Sequence, residues 1–585
     1  MYEQEKWDLT AILESPEGAQ LDIALDALES AASAIESVRP RLTASIGGGD
    51  FSAILKLIEK YAEIAMRLGS YGRLWFSQDT KNARALSFMG GMEQTLAETS
   101  NRVLFFDLWW KSLDDATAEK LLEHAGRLAY YLRRERLFKD HTLTEPEEKI
   151  INLKDLNGVN ALVTVYDMLT SDFTFHLEVD GRTKEMTRDE LSVYVRDPSS
   201  AVREACYREL YKVYKGKAAL LSQIYMHRVR DWAAENVGMR SFNSPLSVRN
   251  LVNNVPDTVV ETLLSVCAEK ADVFRGYFRY KAQRLGLGGG RLRRCDLYAP
   301  LKKESDARIP YGDAVALVLD TFKNFSPEVH AAAKRVFDDR AIDSRVSPGK
   351  QGGAFCYSVL PGLTPYVLVN YTGEPRQAAT LAHELGHAVH ALTASERSPL
   401  TFHAALPLAE TASVFSEMLL TDRLLEDEKS PELRRDLLIG AIDDAYATVL
   451  RQAFFVLYEV DAHRAISQGA DADALNRLYF ENLQRQFGGS VEVSDDFLHE
   501  WITIPHIFHT PFYCYSYSFG QLLSLALYSR YKEQGKAFVP VMLKILSYGN
   551  SKSPDGILRE AGIDMSDADF WRSGFKVIED MIARL

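Results

Sequence analysis

"YTGEPRQAATLAHELGHAVHALTA" (371–394) decides how the rest of the chain is read. A Gly-Glu-Pro opening, many alanines and no interior proline predict a helix over 374–395. Within it stands H-E-x-x-H: His383, Glu384 and His387. On a helix the two histidines lie one turn apart on one face, where both imidazoles can reach a single ion. Glu384 projects beside them, free to move a proton without ligating. His390, seven residues from His383, shares that face and reads as packing or as support for the ligands.

Two histidines leave a catalytic zinc site one protein ligand short. The version with a third histidine on an extended motif needs Gly at 390 and His at 393, but the chain has His390 and Thr393. A glutamate from a following helix is the other common solution. "LPLAETASVFSEMLLTDRLLED" (406–427) offers Glu410 and, two turns on, Glu417. Thr411, Ala412 and Ser413 are small enough for close approach, which favours Glu410 as the third ligand.

Upstream, "GGAFCYSVLPGLTPYVLVNYTG" (352–373) gives two β-rich runs split at a Pro-Gly corner. Its Gly-rich start can support the helix, or can let a peptide backbone pair as an added strand. "DFTFHLEVDGRTKEMT" (172–187) alternates up to Asp-Gly and predicts a small hairpin. Elsewhere apolar residues recur at helical spacing, as in 24–42, 51–74, 116–137 and 257–287. "GLGGG" (286–290) lacks the spacing of a phosphate loop and reads as a loop between subdomains. A domain boundary is expected near 195.

The chain has 585 residues, 46% hydrophobic and 25% charged, with a formal net charge of −13. That length predicts more than one core. The acidic balance argues against a nucleic-acid partner, and short basic runs such as "RLRR" (291–294) read as solvated faces. The start shows no secretory pattern, and no stretch reaches the roughly 18 apolar residues of a membrane span. Five scattered cysteines without C-x-x-C predict reduced thiols and a cytoplasmic location. Oligomeric state is not read from the sequence.

H-E-L-G-H, a spacer of twenty-two residues and then "ETASVFSE" resemble the oligoendopeptidase F branch of the thimet-oligopeptidase family of zinc peptidases. "WITIPHIFHTPFYCYSYSFGQ" (501–521), "FTFHLEVDGRTKEMTRDEL" (173–191) and "KWDLTAIL" (6–13) extend the likeness over nearly the whole chain. The resemblance implies a mainly α fold: a two-lobed helical ellipsoid with a deep central channel and a small β-sheet beside the zinc helix. Residues 1–195 would form an amino-terminal helical domain with the hairpin, and 196–585 the catalytic domain. It implies a zinc-dependent endopeptidase hydrolysing internal bonds of short oligopeptides, with one Zn2+ per chain on His383, His387 and Glu410 and with Glu384 as general base. His506, Tyr513 and Tyr515 are the expected polar groups near the scissile carbonyl, with His509 and Tyr517 as competitors. Tyr513, Tyr515 and Tyr517 alternate, so an extended segment would turn their hydroxyls to one side. An exopeptidase would need a partner for a free terminus, and none is evident. A peptide binder without chemistry would have no use for Glu384 beside the ligands.

Overall fold

The computed structural model describes residues 2–301 and 308–585. The chain is mainly helical and groups into two compact units. One comprises Met1–Lys139, Ala307–Asp427 and Leu527–Asp564; the other comprises Asp140–Asp306, Glu428–Ala526 and Met565–Leu585. The boundary expected at 195 falls inside the second unit, beside the short turn of helix Tyr194–Arg196.

In the first unit the long helix Gly48–Gln78 buries Phe51, Ile54 and Leu55 against an aromatic core. Phe51 stacks on Trp110 at 5.5 Å, and the Trp110 indole N–H donates to the Leu132 carbonyl at 2.8 Å. The expected helix over 116–137 is broken here into Asp115–Leu122 and Ala129–Arg136, because Gly126 takes φ +55° between them.

Seven strands occur among the described residues: β1 (Phe175–Val179), β2 (Arg182–Met186), β3 (Leu292–Arg293), β4 (Ile342–Asp343), β5 (Phe355–Tyr357), β6 (Tyr366–Leu368) and β7 (Val491–Glu492). The first unit holds the sheet β4-β6-β5, with β4 parallel and β5 antiparallel to β6. β4 was not visible in the sequence, since two residues carry no periodicity. Trp7, from the amino-terminal "KWDLTAIL", is buried against this sheet, 6.0 Å from Phe355 and 5.8 Å from Tyr366. β5 and β6 pack on the helix Pro375–Thr393, which carries the histidines.

In the second unit β1 and β2 form the expected hairpin. Asp180 and Gly181 both have positive φ, 55° and 73°, as the Asp-Gly turn between such strands requires. "GLGGG" is a turn here, joining helix Ala271–Arg284 to β3 within the one unit rather than linking subdomains. The solvated reading of "RLRR" fits the exposed Arg291 but not Arg294. Arg294 is buried and paired with the buried Glu500, and its guanidinium lies 5.0 Å from the Phe497 ring, so the charge is spent internally.

Candidate metal centre

The motif helix, Pro375–Thr393, starts almost where the sequence placed it. Pro375 opens it, and Glu374 and Gln377 form a reciprocal capping box. The Gln377 carbonyl oxygen also accepts from the N–H of Thr372 and of Gly373, at 2.8 and 3.0 Å. The first turn is thereby fixed to the loop that follows β6.

Glu410 does not lie within a continuous helix over 406–427. A short turn, Leu406–Ala409, ends at Glu410, and the carboxylate helix runs Thr411–Asp427. The two helices touch through backbone. A Cβ added at Gly386 would fall 2.6 Å from Ser413 Cα and 2.7 Å from the Ala412 carbonyl oxygen. Glycine in the middle of a helix costs about 1 kcal/mol relative to alanine; here its missing side chain lets the small residues at 411–413 come in.

That approach gathers His383, His387 and Glu410, whose ligand atoms all lie within 4.8 Å of one another. Glu410 Oε2 is 3.4 Å from His383 Nε2 and 3.5 Å from His387 Nε2. Two donors held tetrahedrally by one zinc at ordinary bond lengths would stand about 3.3 Å apart. Two imidazoles and a carboxylate also match zinc chemically. The donor set and its spacing therefore fit the ion.

The surroundings orient these groups. Glu417 accepts a hydrogen bond from His383 Nδ1, which leaves Nε2 directed at Glu410. Ser413 Oγ donates to Glu410 Oε2 at 2.8 Å. Glu417 is thus a support for a ligand rather than a rival to Glu410; its place in the sequence seven residues after Glu410 is the signal that it returns to the same side. Burial opposes the charged form of His383, yet the bond to Glu417 and the charges of Glu417, Glu410 and Glu384 outweigh it and raise the ring to about 9. Burial lowers His387 and His390 to about 4 each, leaving both neutral. His390 is buried, as its packing role implies.

Glu384 stands outside the donor set and is 6% exposed. Burial raises its carboxyl to about 7, with the charges of Glu410 and Glu417 adding to the effect and His383 opposing it. It lines a cavity of about 390 Å3 together with His383, His387, Glu410 and the β5 residues Phe355 and Cys356. β5 is an edge strand of its sheet, paired with β6 and, among the described residues, with no other strand.

The carboxy-terminal residues belong to the second unit, and they are not extended. Helix Pro505–His509 is followed by a turn, and helix Tyr515–Gln534 begins at the middle tyrosine. Tyr515 is fully buried, and its hydroxyl accepts from Asn253 Nδ2 at 2.7 Å, which makes it a core residue. Tyr517 takes its place in the cluster: the hydroxyl is 3.3 Å from His506 Nε2, and the ring lies 5.3 Å from Tyr513. The Tyr513 ring is parallel to the His506 ring at 6.2 Å. His509 instead meets Asp167 at 2.6 Å.

Among known proteins, the family model "Oligopeptidase F" matches residues 109–175, and "Peptidase family M3" matches 193–577. An oligoendopeptidase F homolog of Lactococcus lactis subsp. lactis is 24% identical over 99% of this chain and 96% of its own. One from Borreliella burgdorferi is 28% identical over 73% and 72%. Two solved structures share the fold. A Chlamydophila abortus protein has a TM-score of 0.85 at 22% identity, covering 99% of this chain and 97% of its own. Oligoendopeptidase-F of Enterococcus faecium has 0.73 at 21%, covering 96% and 97%. The M3 match takes in well over half of the sequence, including both helices of the histidine–glutamate cluster, and the chain belongs to peptidase family M3, whose members are metallopeptidases that hydrolyse peptides.

Proposed function

We propose that this chain is a zinc-dependent endopeptidase of short oligopeptides, with His383, His387 and Glu410 holding one zinc and Glu384 acting as general base. The observation that carries the reading is the pairing of a three-donor cluster with a buried carboxylate beside it that is not one of the three donors. Zinc, when bound, supplies Lewis-acid polarisation of the peptide carbonyl and acidifies water towards neutrality. Glu384 accepts a proton from the attacking water and returns it to the leaving amide nitrogen. Glu417 and Ser413 keep His383 and Glu410 aimed throughout. The outer edge of β5, the last strand of its sheet, takes the substrate backbone as an added strand, which gives affinity with little side-chain preference. Curated relatives named oligoendopeptidase F support the endopeptidase reading. His506 and Tyr513, with Tyr517 replacing Tyr515, are proposed as donors to the developing oxyanion, on the strength of the sequence resemblance. No helix among the described residues is long and apolar enough to cross a membrane, and all five cysteines are free, which supports a cytoplasmic site of action.

The test is an internally quenched peptide blocked at both ends. Cleavage abolished by a chelator and restored by zinc is expected, and Glu384→Gln should lose about 10²- to 10⁴-fold in kcat. Cleavage only of peptides with a free terminus would replace the endopeptidase reading by an exopeptidase one.

A further inference from the structure

Thr510-Pro511-Phe512-Tyr513 form a tight turn closed by the Tyr513 N–H on the Thr510 carbonyl at 3.2 Å. Proline occupies its second position and a residue with φ +58° its third, the pattern of a type II turn. That third position ordinarily calls for glycine or asparagine. Here it holds a phenylalanine, 1% exposed, in a backbone conformation that large side chains avoid. The relaxed alternative is a type I turn, in which the Pro511–Phe512 peptide is rotated by about half a turn.

Both ends of that peptide are gripped from other parts of the same unit. The Phe512 N–H donates to Glu459 Oε1 at 2.9 Å, and the Pro511 carbonyl accepts from Arg249 Nε at 3.2 Å. Glu459 is fully buried, and its second oxygen has no hydrogen-bond partner among the described residues. A carboxyl in that setting is costly, and a leucine would fill the space more cheaply unless the bond to Phe512 were needed. Tyr513 comes directly after the gripped peptide and Tyr517 four residues later, and both rings neighbour His506.

We propose that Glu459 and Arg249 are positioning residues: they hold the Pro511–Phe512 peptide in its type II orientation and so set Tyr513, Tyr517 and His506 for work on the substrate carbonyl. This rests on the reading that those side chains act on the substrate. The burial that raises the Glu459 carboxyl to about 8 does not weaken the grip, since a neutral carboxyl still offers a carbonyl oxygen to the Phe512 N–H.

The test uses the full-length, zinc-loaded protein and the doubly blocked quenched peptide, with kcat, KM, zinc content and melting temperature read for each variant. Tyr513→Phe is expected to lower kcat. Glu459→Leu should lower kcat by about tenfold, with KM within about twofold and zinc content unchanged, because an ordered but flipped turn loses ~1.4 kcal/mol of transition-state stabilisation. Glu459→Gln keeps an acceptor oxygen and should restore kcat to within about twofold of the parent. Arg249→Met, which removes the donor to the Pro511 carbonyl, carries the same prediction at the other end of the peptide if Glu459→Leu does not fold. If Tyr513→Phe is impaired while Glu459→Leu and Arg249→Met are not, the grip is irrelevant and the proposal fails. Equal impairment of Glu459→Gln and Glu459→Leu would overturn it too, by making charge rather than the turn bond decisive. A Tyr513→Phe enzyme as fast as the parent would sink the underlying reading instead.

Discussion

Gly386→Ala tests how closely the two metal-bearing helices must approach. The new methyl would stand 2.6 Å from Ser413 Cα, 2.7 Å from the Ala412 carbonyl oxygen and 2.9 Å from Ser413 N. Carbon atoms in contact prefer about 3.5–4.0 Å, so the carboxylate helix must retreat by about 1 Å, and all three obstacles are backbone. Glu410 lies three residues before Ser413 and is tied to it by the Ser413 hydroxyl, so it retreats with the helix. Functional groups tolerate roughly 0.5 Å of misplacement. We expect zinc affinity to fall at least as far as when a supporting group is removed, about 10- to 100-fold, with turnover at limiting zinc falling in step. The overpacking itself should cost about 1–3 kcal/mol of stability. Zinc competition against a chromophoric chelator measures the first quantity and denaturant unfolding the second. Gly440→Ala is the control, because a methyl there meets nothing within 4 Å in helix Pro431–Ala445; it should stabilise by about 0.5–1 kcal/mol. Parental zinc affinity in Gly386→Ala would refute the claim that this glycine sets the distance to Glu410.

Removing the carboxylate behind His383 by Glu417→Ala frees the ring and should cost about 10- to 100-fold in zinc affinity, whereas Glu384→Gln should bind zinc as the parent does; the same chelator competition compares them. The Glu459 carboxyl, raised by burial from its ordinary value near 4.5 to about 8, holds a proton in the folded state that the unfolded chain releases. Its contribution to stability is therefore complete below pH 4.5 and is lost as pH rises to 8. Relative to the parent, Glu459→Gln should gain about 2–4 kcal/mol of unfolding free energy between pH 5 and pH 8, read by urea titration at each pH. Lys281 donates to Asp443 at 2.7 Å with both residues buried, and Tyr277 also donates to Asp443. Lys281→Met strands that carboxylate and should cost about 3–5 kcal/mol, and Lys281→Met with Asp443→Asn should recover part of the loss because asparagine still accepts from Tyr277.

What was legible in the sequence was local. The motif helix was read to within about two residues at each end, because a proline, a cap and a four-residue spacing all act inside one turn. Glu410 was reached by asking what a two-histidine site lacked. The tyrosines depend on distant residues instead. Residues 513 and 517 are four apart and share a side in a strand or in a helix, while residue 515 changes sides between the two. The structure puts 515 in the core and keeps the outer pair together. The choice between the two geometries is made at Phe512, whose positive φ is imposed by Glu459 and Arg249, respectively 53 and 262 positions away from the groups they bind. No pattern near 512 records those partners. Gly386 is the intermediate case. It stands in plain view inside H-E-L-G-H, at a helix-interior position that glycine should avoid, and that local misfit already says another backbone must come close. Only the fold says that the backbone is that of Ala412 and Ser413, and that the approach brings Glu410 to the histidines.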